Sequence, residues 1–258
     1  MVATRHHLLS VFTTKLIFNL KSEASKTYLS YLWWLLEPAL LVIVLYWVFS
    51  SFLRRGTDNF FVFLLCGKIP FLWFSRSITN SAGSILAGKG LISQVAIPKP
   101  FFPMLVVCQD FVKQTVVFAC LISGLILYGQ EYSWVWFSLV FIVGTQFLMI
   151  SGFSLFVAAI TPFLPDFRYL IATAMMMLLF ASGVFYSYVQ VLSPQHQRYF
   201  LLNPLANLLN NYRRVLMYNQ LPDWTALGII SLCSILLIIL MTLFYRRTDT
   251  LYARLVVQ

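Results

Sequence analysis

The residues whose chemistry stands out in this sequence are three cations inside otherwise apolar runs: Lys68, Arg76 and Lys113. An ionisable side chain at bilayer depth costs roughly 2.5–3.5 kcal/mol on insertion scales, so it usually has a function or a partner. Lys113 follows Asp110 by three positions, which favours a local ion pair, with a cavity-facing cation that meets an anion as the alternative. Lys68 has no acidic neighbour in sequence, which predicts a side chain that either lines a wet cavity or snorkels to the headgroups.

Residues for catalysis or nucleotide binding are sparse. His6, His7 and His196 have no Glu or Cys at metal-ligand spacing, and each of the four cysteines lies alone within an apolar stretch. The run GSILAGKG at 83–90 is similar to a phosphate-binding loop, but Gly90 stands where a hydroxyl would hold Mg²⁺, and no strand is expected before it. We therefore expect no catalytic residue, metal site or cofactor in this chain. ATP and Mg for any uphill work would be bound by a partner subunit.

The composition indicates a membrane protein. Of the 258 residues, 60% are hydrophobic and 10% are charged, whereas charged residues make up about 25% of a soluble domain. The net charge of +10 is a feature that nucleic-acid-binding proteins also have. We prefer an explanation without nucleic acid, because Lys and Arg flank the apolar runs, where positive-inside topology and anionic headgroups favour them.

The elements that position these residues are predicted to be helices. Apolar runs of spanning length define an all-α polytopic membrane protein with six transmembrane helices, at 31–53, 60–80, 104–128, 134–160, 169–188 and 225–245. The second span is expected to be interrupted at Gly67, Lys68 and Pro70. Together the spans form a single membrane domain over residues 1–258.

Two amphipathic segments accompany the spans. Leu9, Phe12 and Leu16 recur every three or four residues, which predicts an interfacial helix over 8–30 that lies on the membrane. The segment 190–223 is too polar to span and predicts short outer helices that re-enter the membrane or rest on its outer leaflet, where they would gate an exit. The distribution of Lys and Arg favours both termini in the cytoplasm.

Four stretches carry a resemblance to a known family, and they occur in its order along most of the chain. They are YLSYLW at 28–33 with Glu37 and Pro38, FLLCGKIP at 63–70, the segment from GLI at 90–92 to Ile97 and Pro98, and LNPL at 202–205. The chain resembles the membrane subunit of polysaccharide-exporting ABC transporters, the type-2 permeases of capsule and O-antigen (lipopolysaccharide) export known as the KpsM and Wzm groups. It departs from that family at Lys68 and at the run Pro98, Lys99 and Pro100.

The resemblance implies a function and a set of partners. It implies a permease domain without a nucleotide site of its own, which moves a lipid-linked polysaccharide across the bacterial inner membrane. It also implies a homodimer bound to two copies of a nucleotide-binding ATPase, with periplasmic export proteins as further partners. The alternatives are a type-2 permease for teichoic acid or a small lipophilic substrate, and a polyprenyl-phosphate-dependent membrane transferase.

Two groups of candidate site residues follow from the residue types and the resemblance. Cations that guide an anionic group and rings on which sugars stack form the candidate substrate path: Lys68, Arg76, Lys113, Arg54, Arg55, Arg213, Arg214, Trp33, Trp34, Trp73, Phe74, Phe185, Tyr186 and Tyr188. For each ring, interfacial or core packing is the competing explanation. The resemblance implies that the N-terminal helix, the connector after the second span and the turn at 162–168 face the ATPase, with candidate coupling residues Lys15, Lys21, Ser84, Lys89, Leu91, Ile92, Asp166 and Arg168.

Overall fold

The computed structural model describes residues 5–25, 59–92 and 97–257, with single positions at 32, 33, 36, 39, 40, 43, 44 and 47. Apart from these positions, the predicted first span at 31–53 lies outside the described residues. So do three candidate site residues: Trp34, Arg54 and Arg55. Within the described ranges every regular element is a helix, which confirms the all-α prediction for that part of the chain.

The described helices follow one another along most of the chain. In order they are α1 (Arg5–Ser25), α2 (Phe60–Ala82), α3 (Ser84–Ala87), α4 (Lys89–Ile92), α5 (Phe101–Leu127), α6 (Leu139–Ile160), α7 (Phe167–Ala181), α8 (Tyr188–Val191), α9 (Pro194–Phe200), α10 (Pro204–Leu216) and α11 (Trp224–Val257). A 3-10 helix, Trp134–Ser138, leads directly into α6. The short helices α8, α9 and α10 occupy most of the segment predicted as an outer gate, and the gate itself stays a prediction.

Four of these elements are long and apolar enough to cross a membrane. They are α2, α5, the combined helix Trp134–Ile160 and the part of α11 from Trp224 to Thr248. The predicted spans that they match within a few residues are 60–80, 104–128, 134–160 and 225–245. Large apolar side chains of α11 are exposed, as on a lipid-facing helix: Ile229, Leu232, Leu236, Ile239, Leu240 and Leu243. The described chain is therefore a multi-pass membrane protein.

The predicted span at 169–188 is longer than the helix found there. α7 has 15 residues, which extend about 22 Å at 1.5 Å per residue, less than the roughly 30 Å of a hydrocarbon core. The chain leaves the helix after Ala181, and Gly183 takes a left-handed φ of 65°, which glycine adopts at little cost. A Cβ at Gly183 would also lie 2.9 Å from the ring of Phe200. Among the described helices, four rather than five reach spanning length.

The predicted interruption of the second span is wrong. α2 continues through Gly67, Lys68 and Pro70 without a break. Proline has no amide hydrogen and normally weakens a helix interior, but in a membrane bundle neighbouring helices can satisfy the backbone groups around it. Next to the proline, the side-chain amide of Gln146, on α6, donates to the Pro70 carbonyl at 2.8 Å. This bond attaches α6 to α2 at the proline, but it does not replace the helical bond to the Cys66 carbonyl for which proline has no amide hydrogen.

α2 is the central helix of the described bundle, with α5, α6, α7 and α10 packed around it. α5 runs antiparallel to α2, because Phe61 contacts Tyr128 near one end and Asn80 reaches Asp110 near the other. α6 and α11 run in the direction of α2, and α7 runs against it. The bundle thus has a Phe60 end, with the loop after α7 and α8 to α10, and a Gly83 end, with α3, α4 and the turn before α7.

α1 follows α5 over more than two helical turns. The rings of Phe12 and Phe101 are 5.3 Å apart, and Glu23 pairs with Lys113. The two contacts are separated by similar lengths of each helix, so α1 runs alongside α5 rather than across it. The described helix, Arg5–Ser25, overlaps the predicted interfacial helix over 8–30, and its position on the membrane surface stays a prediction.

Candidate functional site

Lys68 is buried in the bundle, and its ammonium contacts two aromatic rings. Only 5% of its surface is exposed, and its ammonium lies 5.6 Å from the ring centroids of both Phe71 and Phe185. These are cation–π distances. Among the described residues no carboxylate pairs with it. Both predicted alternatives, a wet cavity and snorkelling to the headgroups, stay predictions, and the contacts of the ammonium in this structure are the two rings.

Arg213 binds the backbone of two other elements. Its Nη2 donates to the carbonyls of Gly183 at 2.9 Å and Val184 at 3.1 Å, and its Nε donates to the carbonyl of Phe63 at 3.4 Å. The guanidinium also stacks on the Phe63 ring, 3.6 Å from the centroid. Burial lowers the pKa of Arg213 to about 10, so it remains protonated at neutral pH. The predicted substrate cation therefore joins α10 to α2 and to the loop after α7.

Gly67 gives Arg213 the space to make these contacts. A Cβ at this position would collide with Nη2 of Arg213 and would lie 3.4 Å from the carbonyl oxygen of Val184. The absence of a side chain lets the guanidinium lie directly on the α2 backbone, one residue from Lys68.

A second polar connection joins α10 to α2 through α6. The Tyr212 hydroxyl donates to Oε1 of Gln146 at 2.8 Å, and Nε2 of Gln146 donates to the Pro70 carbonyl at 2.8 Å. Tyr212 and Gln146 are fully buried. α10 positions both Tyr212 and Arg213 because its start is fixed by Asn203, whose side chain accepts from the amides of Leu205 and Ala206.

Lys113 belongs to a polar network between α1, α5 and α2. Its ammonium lies 2.6 Å from the Glu23 carboxylate and 3.5 Å from that of Asp110. Gln109 also donates to Glu23, at 2.9 Å, and Asn80 donates to Asp110, at 3.3 Å. The local pair predicted from the spacing is confirmed, and Glu23 adds a partner that sequence spacing does not indicate.

The other candidate path residues are distributed over several environments. Trp73 and Phe74 are buried in the main core, with 2% and 3% of their surfaces exposed, so core packing describes their contacts. Tyr186 and Tyr188 are half-buried at the Phe60 end, where Tyr186 donates to the Phe180 carbonyl and Tyr188 stacks on a neighbouring ring. The remaining described candidates are Arg76 and Arg214, both half-buried, and the exposed Trp33.

The Gly83 end brings two predicted coupling segments together. The guanidinium of Arg168 lies against Gly83, at 3.1 Å from the position that a Cβ would occupy. Ser84 is buried and donates to the Ser81 carbonyl at 2.7 Å. Other coupling candidates lie on the surface or at its edge: Leu91 and Ile92 pack partly against the core at this end, Lys15 is half-buried, and Lys21, Lys89 and Asp166 are exposed.

No family model matches the chain. Curated proteins, however, are similar to it over most of their length. The O-antigen export system permease protein RfbA of Klebsiella pneumoniae is 26% identical over 216 residues, which cover 83% of this chain and 82% of that protein. RfbA of Myxococcus xanthus is 26% identical and covers 85% of each. The polysialic acid transport protein KpsM of Escherichia coli is 23% identical and covers 90% of each. The chain is similar to these permeases over most of its length.

Several polar residues that join helices in this structure were not among the candidates predicted from the sequence. Gln146 and Tyr212 join three helices, and Glu23 holds α1 beside α5. Gln146 could have been found from the sequence, because it is a lone amide in an apolar span and such a group needs a hydrogen-bond partner at bilayer depth. For Glu23 no sequence signal points to a partner 90 residues away. Among the described residues, His, Cys, Asp and Glu form no group of three or more that could hold a metal ion.

Proposed function

We propose that this chain is the transmembrane subunit of an ATP-driven exporter that moves a lipid-linked polysaccharide, of capsule or O-antigen type, across the bacterial inner membrane. The observation that carries the proposal is the similarity over 83–90% of the chain to proteins named as O-antigen export permeases and a polysialic acid transport protein. The four apolar helices of spanning length agree with a membrane subunit.

In this proposal the working unit is a homodimer with two copies of a separate ATPase, which bind ATP and Mg. α7 supports the dimer because it has a large apolar surface, and among the described helices its main contact is with α2. Only Ile171 is buried on this helix, while Leu170, Met176, Met177 and Phe180 are each more than half exposed. A second copy of the chain or membrane lipid would cover this surface, and the substrate path would run along the interface.

The ATPase would dock at the Gly83 end, and α8 to α10 would gate the exit at the Phe60 end. Both termini then lie in the cytoplasm. The contact between Arg168 and Gly83 supports this arrangement. If the ATPase moved α3 and α4, this contact would displace the start of α7. The exposed Lys89, Asp166 and Arg168 supply charges for the docking surface.

Deleting the gene in its host tests the proposed substrate class. We expect loss of a surface polysaccharide together with accumulation of the same lipid-linked glycan inside the cell, and recovery with the wild-type gene. An unchanged surface glycan with lost export of a lipophilic compound would favour the small-molecule permease instead. An altered surface teichoic acid would assign that polymer as the substrate.

Arg168→Ala tests coupling at the Gly83 end, with Arg198→Ala as the matched control. Both arginines are exposed, but Arg198 lies at the opposite end of the bundle. In the complex with its ATPase, we expect the Arg168 variant to assemble yet to export little glycan per ATP hydrolysed, while the Arg198 variant behaves as wild type. Normal export by the Arg168 variant would contradict this part of the proposal.

A further inference from the structure

We infer that Lys68 is an anion-binding residue of the transport path, covered by Phe185 in this structure, and that it binds an acidic group of the exported molecule. The acidic group is either a carboxylate of an acidic sugar or the phosphate of the lipid carrier. This inference rests on the proposed function and adds to it the charge of the substrate at one defined position.

The first observation is a buried ammonium whose partners are rings. A cation removed from water loses its hydration, and burial is normally compensated by an opposite charge and hydrogen bonds. Lys68 is buried, and its described contacts are the rings of Phe71 and Phe185. Cation–π contacts compensate a buried ammonium in part. An anion that reached it would therefore gain a strong, directional partner.

The second observation is the position of Phe185. It follows the loop of Gly183 and Val184, whose carbonyls Arg213 binds, so the backbone that leads to Phe185 is held in place. The ring itself is half-buried and also contacts Phe180, a largely exposed residue of α7, at 5.7 Å between centroids. A change of the Phe185 rotamer would remove one of the two rings from Lys68, and the hydrogen bonds of Arg213 would remain because they go to backbone carbonyls.

The third observation is local charge. The guanidinium of Arg213 lies against Gly67, the residue before Lys68, and Arg213 donates to carbonyls rather than to a carboxylate. A guanidinium from α10 thus contacts α2 at the residue before Lys68, and the described residues supply no carboxylate to either cation. Their combined potential attracts an anion to Lys68.

The test uses the full chain in complex with its ATPase in liposomes, with ATP hydrolysis measured against the concentration of three probes. Polyprenyl phosphate supplies the phosphate, an oligogalacturonate supplies the carboxylate and a dextran oligosaccharide is the neutral control. Lys68→Met removes the charge at similar volume, and Lys68→Arg retains it. Phe185→Leu removes the covering ring, and Phe180→Leu removes a ring that contacts Phe185 rather than Lys68.

We expect Lys68→Met to raise the half-saturating concentration of one anionic probe about tenfold or more, with Lys68→Arg close to wild type and dextran unaffected. The affected probe identifies the source: oligogalacturonate indicates the sugar and polyprenyl phosphate the lipid carrier. Phe185→Leu should lower the same concentration several-fold, and Phe180→Leu should not.

Three results overturn the inference. They are an unchanged response of Lys68→Met to both anions, an equal loss of response to dextran, and a wild-type complex that responds to neither anion. The proposed function is judged separately, by the glycan that accumulates in the deletion strain, so export of a glycan with an unaffected Lys68→Met variant would reject this inference alone.

Discussion

Gly67→Ala is expected to destabilise the protein by displacing Arg213. The new methyl group would occupy space now taken by Nη2 of the guanidinium, and the α2 backbone cannot retreat without disturbing its central packing. Arg213 would have to leave at least its two shorter bonds, to the carbonyls of Gly183 and Val184 at 2.9 and 3.1 Å. The loop after α7 would lose its attachment to α10.

The magnitude follows from those bonds. A hydrogen bond that involves a charged group contributes about 1.5–3 kcal/mol, so losing two of them costs about 3–6 kcal/mol. Alanine stabilises a helix by about 1 kcal/mol relative to glycine, which offsets part of this loss. The net expected loss is about 2–5 kcal/mol in the free energy of unfolding, large for one added methyl group.

A double-mutant cycle with Arg213→Met measures this effect, using SDS-induced unfolding in detergent micelles. With Arg213 already truncated, Gly67→Ala has nothing to displace and should be neutral or slightly stabilising, so the two changes should be strongly non-additive. Gly124→Ala on α5 is the matched control, because no atom lies within 4 Å of the added Cβ. Additive losses, or a Gly67 variant as stable as the Gly124 variant, would refute the reasoning.

Three further predictions concern the other polar connections. Tyr212→Phe removes the hydroxyl that donates to Gln146 and should cost about 1–3 kcal/mol of unfolding free energy, because the buried acceptor is left unpaired; Tyr218→Phe, on an exposed side chain, should cost nothing measurable. Lys113→Met removes the ion pair with Glu23 and should speed limited proteolysis of α1 while the bundle stays folded; equal cleavage rates would argue against this pair as the attachment of α1. Asn203→Ala removes the cap of α10 and should cost about 1 kcal/mol in the same unfolding assay, with Asn203→Asp close to wild type.

The spans could be predicted from sequence because their signal is local. An apolar run of sufficient length has few alternatives to a membrane-crossing helix, and four such runs proved to be helices with closely matching bounds. The pairing of Asp110 with Lys113 was predictable for the same reason, since a spacing of three places both on one helix face.

The errors arose where distant parts of the chain decide the local structure. Pro70 was expected to interrupt the second span, but α2 continues through it, packed against α5, α6 and α10. The apolar run after Arg168 looked long enough to span, but the left-handed Gly183 ends the helix early. The carbonyl partners of Arg213 were not predicted for the same reason, because they lie on two segments remote in sequence; its role in the substrate path stays a prediction.

α7 has a mechanical consequence for the two ends of the molecule. Its first turn abuts Gly83 through Arg168, and the loop at its other end is held by Arg213. A helix of 15 residues is stiff along its axis and barely changes length. We expect an axial displacement of the first turn of α7 to move the loop of Gly183 and Val184 in the same direction. α7 thus couples the two ends of the bundle mechanically, because a short rigid helix keeps the distance between the Arg168 contact and the Arg213 contact nearly constant.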